Sequence, residues 1–175
     1  MKDETIKFEI FRTSEALEYA ETDTMELVDT TPAMLEGIEK VGSLGLEDGS
    51  QIKLLFAMPG MSLTYGWFKS HFPLPLHSHD ADCVYFVIAG TLRLGNEQLG
   101  PGDGFFVGSD VPYTYHVGPD GVEILEFRTK DKFNIKIKGK TADYWEKIAA
   151  KLLEARNDWP GQGRPSELRD PLETG

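Results

Sequence analysis

Apolar and polar positions along this chain mostly alternate in short stretches, the period expected of strands with one buried face. Ile6, Phe8 and Ile10 alternate with charged residues and predict an opening strand. Gln51 to Met58 and Ser62 to Phe72 read as two further strands, divided by the Pro59-Gly60 turn. Val84 to Ala89 is a continuous apolar run, too short to span a membrane and the right length for a buried strand. Leu92 and Leu94 lead into Gly95-Asn96, a two-residue hairpin signal. Leu99 precedes the turn Pro101-Gly102-Asp103, after which Phe105-Phe106-Val107 predicts a buried strand. Pro119-Asp120-Gly121 predicts a turn into Val122–Phe127, and Phe133, Ile135 and Ile137 mark a last strand. Turn signals recur about every 8–12 residues, the spacing of an all-β sandwich or barrel.

Two segments follow a different period. Thr31-Pro32 reads as an N-cap with proline at the first helical position, opening a short helix that Gly42 closes. Trp145, Ile148, Leu152, Ala155 and Trp159 recur at spacings of three and four, one apolar stripe of an amphipathic helix packed on the barrel. Pro160-Gly161 stops that helix. The expected organisation is an N-terminal extension with a short strand and helix (1–50), a barrel (51–140), a C-terminal helix (141–160) and a loose tail (161–175).

Composition narrows the partners. At 175 residues the chain has the length of one domain, and 40% apolar with 27% charged residues is ordinary for a globular protein. A net charge of −11 and a pI near 4.8 argue against nucleic acid and anionic membrane surfaces, both of which need a basic face. The single cysteine, Cys83, excludes an intrachain disulfide and fits a reducing compartment. The N-terminus, Met1-Lys2-Asp3-Glu4-Thr5, lacks the apolar stretch of a secretory signal, so the expected location is cytoplasmic.

The candidate chemistry lies in His77-Ser78-His79. On a strand, the period of two puts both imidazoles on one face, close enough to share a metal ion. Two polar core histidines without a metal are the alternative. Cys83 reads either as a small buried hydrophobe or as a functional thiol.

With these motifs in place, residues 62–128 resemble the cupin superfamily, a double-stranded β-helix barrel of the jelly-roll kind. His77, His79 and Gly90 fit its first motif, with Cys83 where a metal-binding Glu usually stands. Pro101-Gly102-Asp103 and Gly108-Ser109-Asp110-Val111-Pro112-Tyr113 fit its second, with Tyr113 at the usual place of a His. The layout is similar to small single-domain cupins of the 2,4'-dihydroxyacetophenone dioxygenase type. Cys83 at the Glu position is similar to thiol dioxygenases, where such a Cys is joined to a tyrosine; Tyr113 and Tyr115 are the available partners.

The resemblance implies a divalent transition metal, Fe(II) favoured and Zn, Mn or Ni possible, on His77 and His79. His116, re-aimed by a bulge, and Glu97 are the further ligand candidates. It implies an oxidoreductase of the dioxygenase kind acting on a small aromatic or carbonyl compound, with Tyr113 and Cys83 as catalytic candidates. A metal-dependent isomerase or lyase and a non-enzymatic small-molecule binder are the alternatives. Phe56, Met58, Met61, Trp67, His71, Phe86, Phe106 and Tyr115 are the expected pocket wall. By analogy with other small cupins, and to cover an edge strand, a homodimer is expected.

Overall fold

The protein is described by a computed structural model that covers residues 8–168. Ten strands and two α-helices, with short 3-10 turns, follow in chain order. They are β1 (Leu17–Glu18), β2 (Met25–Leu27), α1 (Pro32–Ser43), β3 (Ser50–Met58), β4 (Met61–Phe68) and β5 (His77–His79). After these come β6 (Cys83–Leu94), β7 (Glu97–Leu99), β8 (Gly104–Val107), β9 (His116–Arg128), β10 (Phe133–Ile137) and α2 (Ala142–Ala155).

Seven strands form one antiparallel sheet in the order β1-β3-β4-β9-β6-β7, with β8 also paired to β6. A three-stranded sheet, β2-β10-β5, lies across from it and carries the histidine pair. A single bridge between His77 and Tyr113 ties β5 to the loop before β9. The result is an all-β jelly-roll barrel with helices outside it. Among the described residues no helix is long and apolar enough to cross a membrane.

Alternation decides what faces the interior. Along β6, Cys83, Tyr85, Val87 and Ala89 are buried while Val84 and Phe86 face out. Along β9, Val122, Ile124, Glu126 and Arg128 are buried on the same side. Phe105-Phe106-Val107 does form a strand, but Phe106 pairs with Val84 on the outer face and is 65% exposed.

Two predicted elements differ. Ile6 lies outside the described residues, and Phe8 and Ile10 are exposed coil rather than strand, so alternation there reports no burial. Pro119-Asp120-Gly121 does not end a strand; β9 runs through it on an irregular register. Gly121 takes φ +82° there and Gly90 φ +72° opposite it, and a Cβ on Gly90 would meet the Gly121 carbonyl oxygen at 2.1 Å.

The helices form as the sequence predicts. Thr31 caps α1 by accepting from the Met34 amide at 3.3 Å, and Thr141 caps α2 in the same way from Tyr144. α2 buries Trp145, Ile148, Leu152 and Ala155, and Trp159 follows after a 3-10 turn. Gly37 of α1 leaves the space that the Trp145 ring fills, since a Cβ there would sit 2.0 Å from the ring. Trp159 stacks on Phe72 and donates from Nε1 to the Ser70 carbonyl, which fastens the helix to the barrel.

The segment after Pro160 is not loose as far as it is described. Gln162, Arg164 and Ser166 all bond to the barrel, and Pro165 is buried.

Candidate functional site: a polar pole in the barrel cavity

A cavity of about 220 Å³ opens inside the barrel, below the roughly 300–1,000 Å³ usual for small-molecule sites. Aliphatic and aromatic side chains, among them Ile52, Phe68, Leu74, Ile135 and Ile137, make most of its wall. Its polar pole consists of His77, His79, Tyr85, Tyr113, Glu126 and Arg128.

β5 sets the histidines. Two apart on one strand, they are both buried, with ring centroids 4.9 Å apart. Each ring is oriented through Nδ1: that of His77 meets the Pro75 carbonyl oxygen at 2.7 Å and that of His79 the Asn134 carbonyl oxygen at 2.8 Å. A carbonyl only accepts, so each Nδ1 carries the proton and each Nε2 keeps its lone pair. Burial lowers both imidazole pKa values. For His79, the Arg128 and His77 charges add to that effect and bring it to about 3. Both rings are therefore neutral near pH 7.

β9 supplies the ion pair. Arg128 Nη1 donates to Glu126 Oε2 at 2.5 Å, and both residues are buried. Arg128 Nη2 donates to the Tyr85 hydroxyl at 3.1 Å, and the guanidinium lies 4.5 Å from the Phe133 ring centre. The Tyr85 and Tyr113 hydroxyls share a short hydrogen bond. Cys83 is buried on the same inward face of β6, and burial pushes its thiol up to about 12.

The other sequence-predicted residues do not meet at this pole. His116 is exposed, pairs across from Arg93, and lines a separate outer groove with His71, because β9 keeps regular parity there and no bulge re-aims it. Glu97 is exposed on β7 beside the hairpin turn. Phe56 and Met58 follow a register shift after Leu54 and leave the cavity wall; Phe56 meets Phe11 instead. Met61 ends the same hairpin away from the cavity. Trp67 faces outward against Arg164, and Phe86 and Phe106 lie on the outer face. Tyr113 and Tyr115 do line the cavity.

Tyr85, Glu126 and Arg128 were missed. The signal was present: Ile124, Glu126 and Arg128 share one parity, so the ion pair follows Ile124 into the interior.

The two imidazoles fit one side of a divalent transition-metal site, since each is neutral with its Nδ1 anchored in the manner of metal-binding histidines. Among the described residues, no group of three or more His, Cys, Asp and Glu side chains is placed to hold a metal ion. Further ligands would have to be small molecules.

Fold and site together define a small all-β jelly-roll barrel with a compact, mostly apolar pocket and one polar pole. Solved structures similar to the chain include an RmlC-like cupin from Shewanella frigidimarina (21% identity over 47% of this chain and 78% of that one, TM-score 0.44). Others are the polyketide cyclase RemF from Streptomyces resistomycificus (18%, 59% and 84%, TM-score 0.49) and KdgF from Halomonas sp. (18%, 70% and 94%, TM-score 0.46). No family model matches the chain, and no curated protein matches its sequence.

Proposed function

We propose that the barrel binds a small aromatic or carbonyl compound beside a metal ion held by His77 and His79, and acts as a non-haem iron dioxygenase. The observation that carries this is the fixed tautomer of the pair: two neutral imidazoles with Nδ1 spent on backbone carbonyls and Nε2 free. Fe(II) held by His77 and His79 would supply dioxygen chemistry, whereas Mn(II), Ni(II) or Zn(II) would supply a Lewis acid for isomerase or lyase chemistry. The chain's own part is to hold and enclose. Ile52, Leu74, Ile135 and Ile137 exclude water, the Tyr113 hydroxyl orients the ligand, and the Arg128–Glu126 pair fixes Tyr85 behind it.

A second reading is a metal-free small-molecule binder using the same cavity. It is favoured by the residues at the two remaining ligand positions of the cupin motifs, the protonated Cys83 thiol and Tyr113.

Metal analysis of untagged protein purified without chelators separates the two. The expected result is about one transition metal per chain, lost in His77→Ala and His79→Ala with unchanged circular dichroism. Protein that carries no metal and cannot be loaded with Fe(II), Mn(II), Ni(II) or Zn(II) would end the metal reading and leave the binder.

A further inference from the structure

We infer that Tyr113 donates its hydroxyl proton to the carbonyl oxygen of a neutral ligand, and that Arg128 and Tyr85 set the direction of that donation. The inference deepens the cavity's proposed use and needs no metal. Its starting point is a count of protons. An arginine has only donors, so the 3.1 Å contact from Arg128 Nη2 makes the Tyr85 oxygen an acceptor. Tyr85 has one proton of its own, and its hydroxyl is also bonded to that of Tyr113.

Two arrangements are possible for that second bond. If Tyr113 donates, the Tyr85 proton is left at a fully buried position with only the Cys83 sulfur, a weak acceptor, within reach. If Tyr85 donates, the spare proton belongs to Tyr113, whose ring lines the cavity beside His77, with centroids 4.5 Å apart. The second arrangement strands no buried group once a ligand acceptor enters. Neither imidazole takes the proton, since no hydrogen bond joins Tyr113 to a ring nitrogen of His77 or His79. Arg128 thus acts through Tyr85 to leave the Tyr113 phenol, the one beside His77, free to donate to the ligand.

Charge selects the ligand class. The guanidinium of Arg128 is neutralised by Glu126 at 2.5 Å, and each histidine spends its Nδ1 proton on a backbone carbonyl. The pocket offers no net positive charge to a carboxylate, and desolvating one among Ile52, Leu74 and Ile135 would be costly. A ketone or aldehyde oxygen on a single ring-sized body suits a phenolic donor in a mostly apolar cavity of about 220 Å³.

The test uses chelator-treated full-length protein, so its outcome is independent of whether the histidines bind metal. Cyclohexanone, methylenecyclohexane (the same shape without the oxygen) and cyclohexanecarboxylate are compared by calorimetry, with the infrared carbonyl stretch of bound cyclohexanone as a direct readout. In the wild type, cyclohexanone should bind roughly 3–10-fold tighter than methylenecyclohexane, show a lowered carbonyl frequency, and exceed the carboxylate by at least about tenfold. Tyr113→Phe should abolish both the preference and the frequency shift while leaving methylenecyclohexane affinity unchanged, which also shows that the variant is folded. Tyr85→Phe should reduce the frequency shift with the same control intact, the signature of a positioning residue.

A shift that survives Tyr113→Phe overturns the donor assignment, and one unchanged by Tyr85→Phe overturns the relay. Tighter carboxylate binding, or no cyclohexanone binding at all, overturns the neutral-carbonyl class.

Discussion

Glu126 and Arg128 stand two residues apart on β9, and their side chains meet inside the barrel at 2.5 Å, both almost out of contact with solvent. A buried pair is held by the balance between a large desolvation cost and the mutual attraction of its members. Each member here has a further duty, because Glu126 neutralises the cation that in turn orders Tyr85.

Removing one member should therefore be worse than removing both. Glu126→Gln leaves a buried guanidinium without a counter-charge and should cost about 3–5 kcal/mol in urea unfolding. Glu126→Leu combined with Arg128→Met should cost less than Glu126→Gln alone. Additive losses would mean that the two side chains are not electrostatically coupled.

The histidine pair gives the fold a pH dependence with a defined sign. His79 has a pKa of about 3 in the folded protein against 6.5 for the unperturbed group, and His77 moves in the same direction. Between those values the unfolded chain binds more protons than the folded one, so stability rises with pH. The contribution is complete above about pH 6.5 and is lost as pH falls towards 3. In chelator-treated protein, stability should fall between pH 7 and pH 4.5 by up to about 1.4 kcal/mol per pH unit for each such histidine. His79→Gln should show a shallower slope than the wild type.

Cys83 should behave as an inert thiol. Burial holds it protonated, with a pKa pushed to about 12, and only thiolates react rapidly. Native protein should resist alkylation, unfolded protein should take up one equivalent, and the intact mass should match the sequence. A mass two hydrogens lower, with no alkylation after unfolding, would instead show a bond to one of the neighbouring tyrosines.

Legibility in the sequence followed burial. The β3–β4 hairpin, the β6 strand and both helices were readable because period, caps and turn residues agree there. The histidine pair was readable because its spacing matches the strand period. Phe56, Phe86 and Phe106 were misplaced because an aromatic residue does not say which side of a strand it occupies, and the shift after Leu54 cannot be seen locally. Glu126 and Arg128 were overlooked for the opposite reason: charge suggests solvent, while their parity with Ile124 puts them inside.

The segment after Pro160 provides the clearest case of polar residues that look like a tail and act as a clasp. Gln162 accepts from the Ser70 amide and hydroxyl at 3.1 and 3.2 Å, and Arg164 donates to Gln51 at 2.6 Å while lying over the Trp67 ring. The Ser166 amide donates to Glu123 at 2.7 Å, and among the described residues that buried carboxylate has only the Tyr65 hydroxyl, at 2.5 Å, as another hydrogen-bond partner. Hydrogen bonds to charged groups contribute about 1.5–3 kcal/mol each, and leaving a buried carboxylate short of donors costs at least as much. Ending the chain at Gly161 should therefore lower unfolding stability by on the order of 3 kcal/mol. Ending it at Arg169 keeps every one of these bonds and should change little. Glu123→Gln in the full chain tests the same contact from the other side, since a neutral amide accepts the Ser166 hydrogen bond more weakly. Equal stability of the two truncated chains would show that the clasp rests on the barrel without holding it.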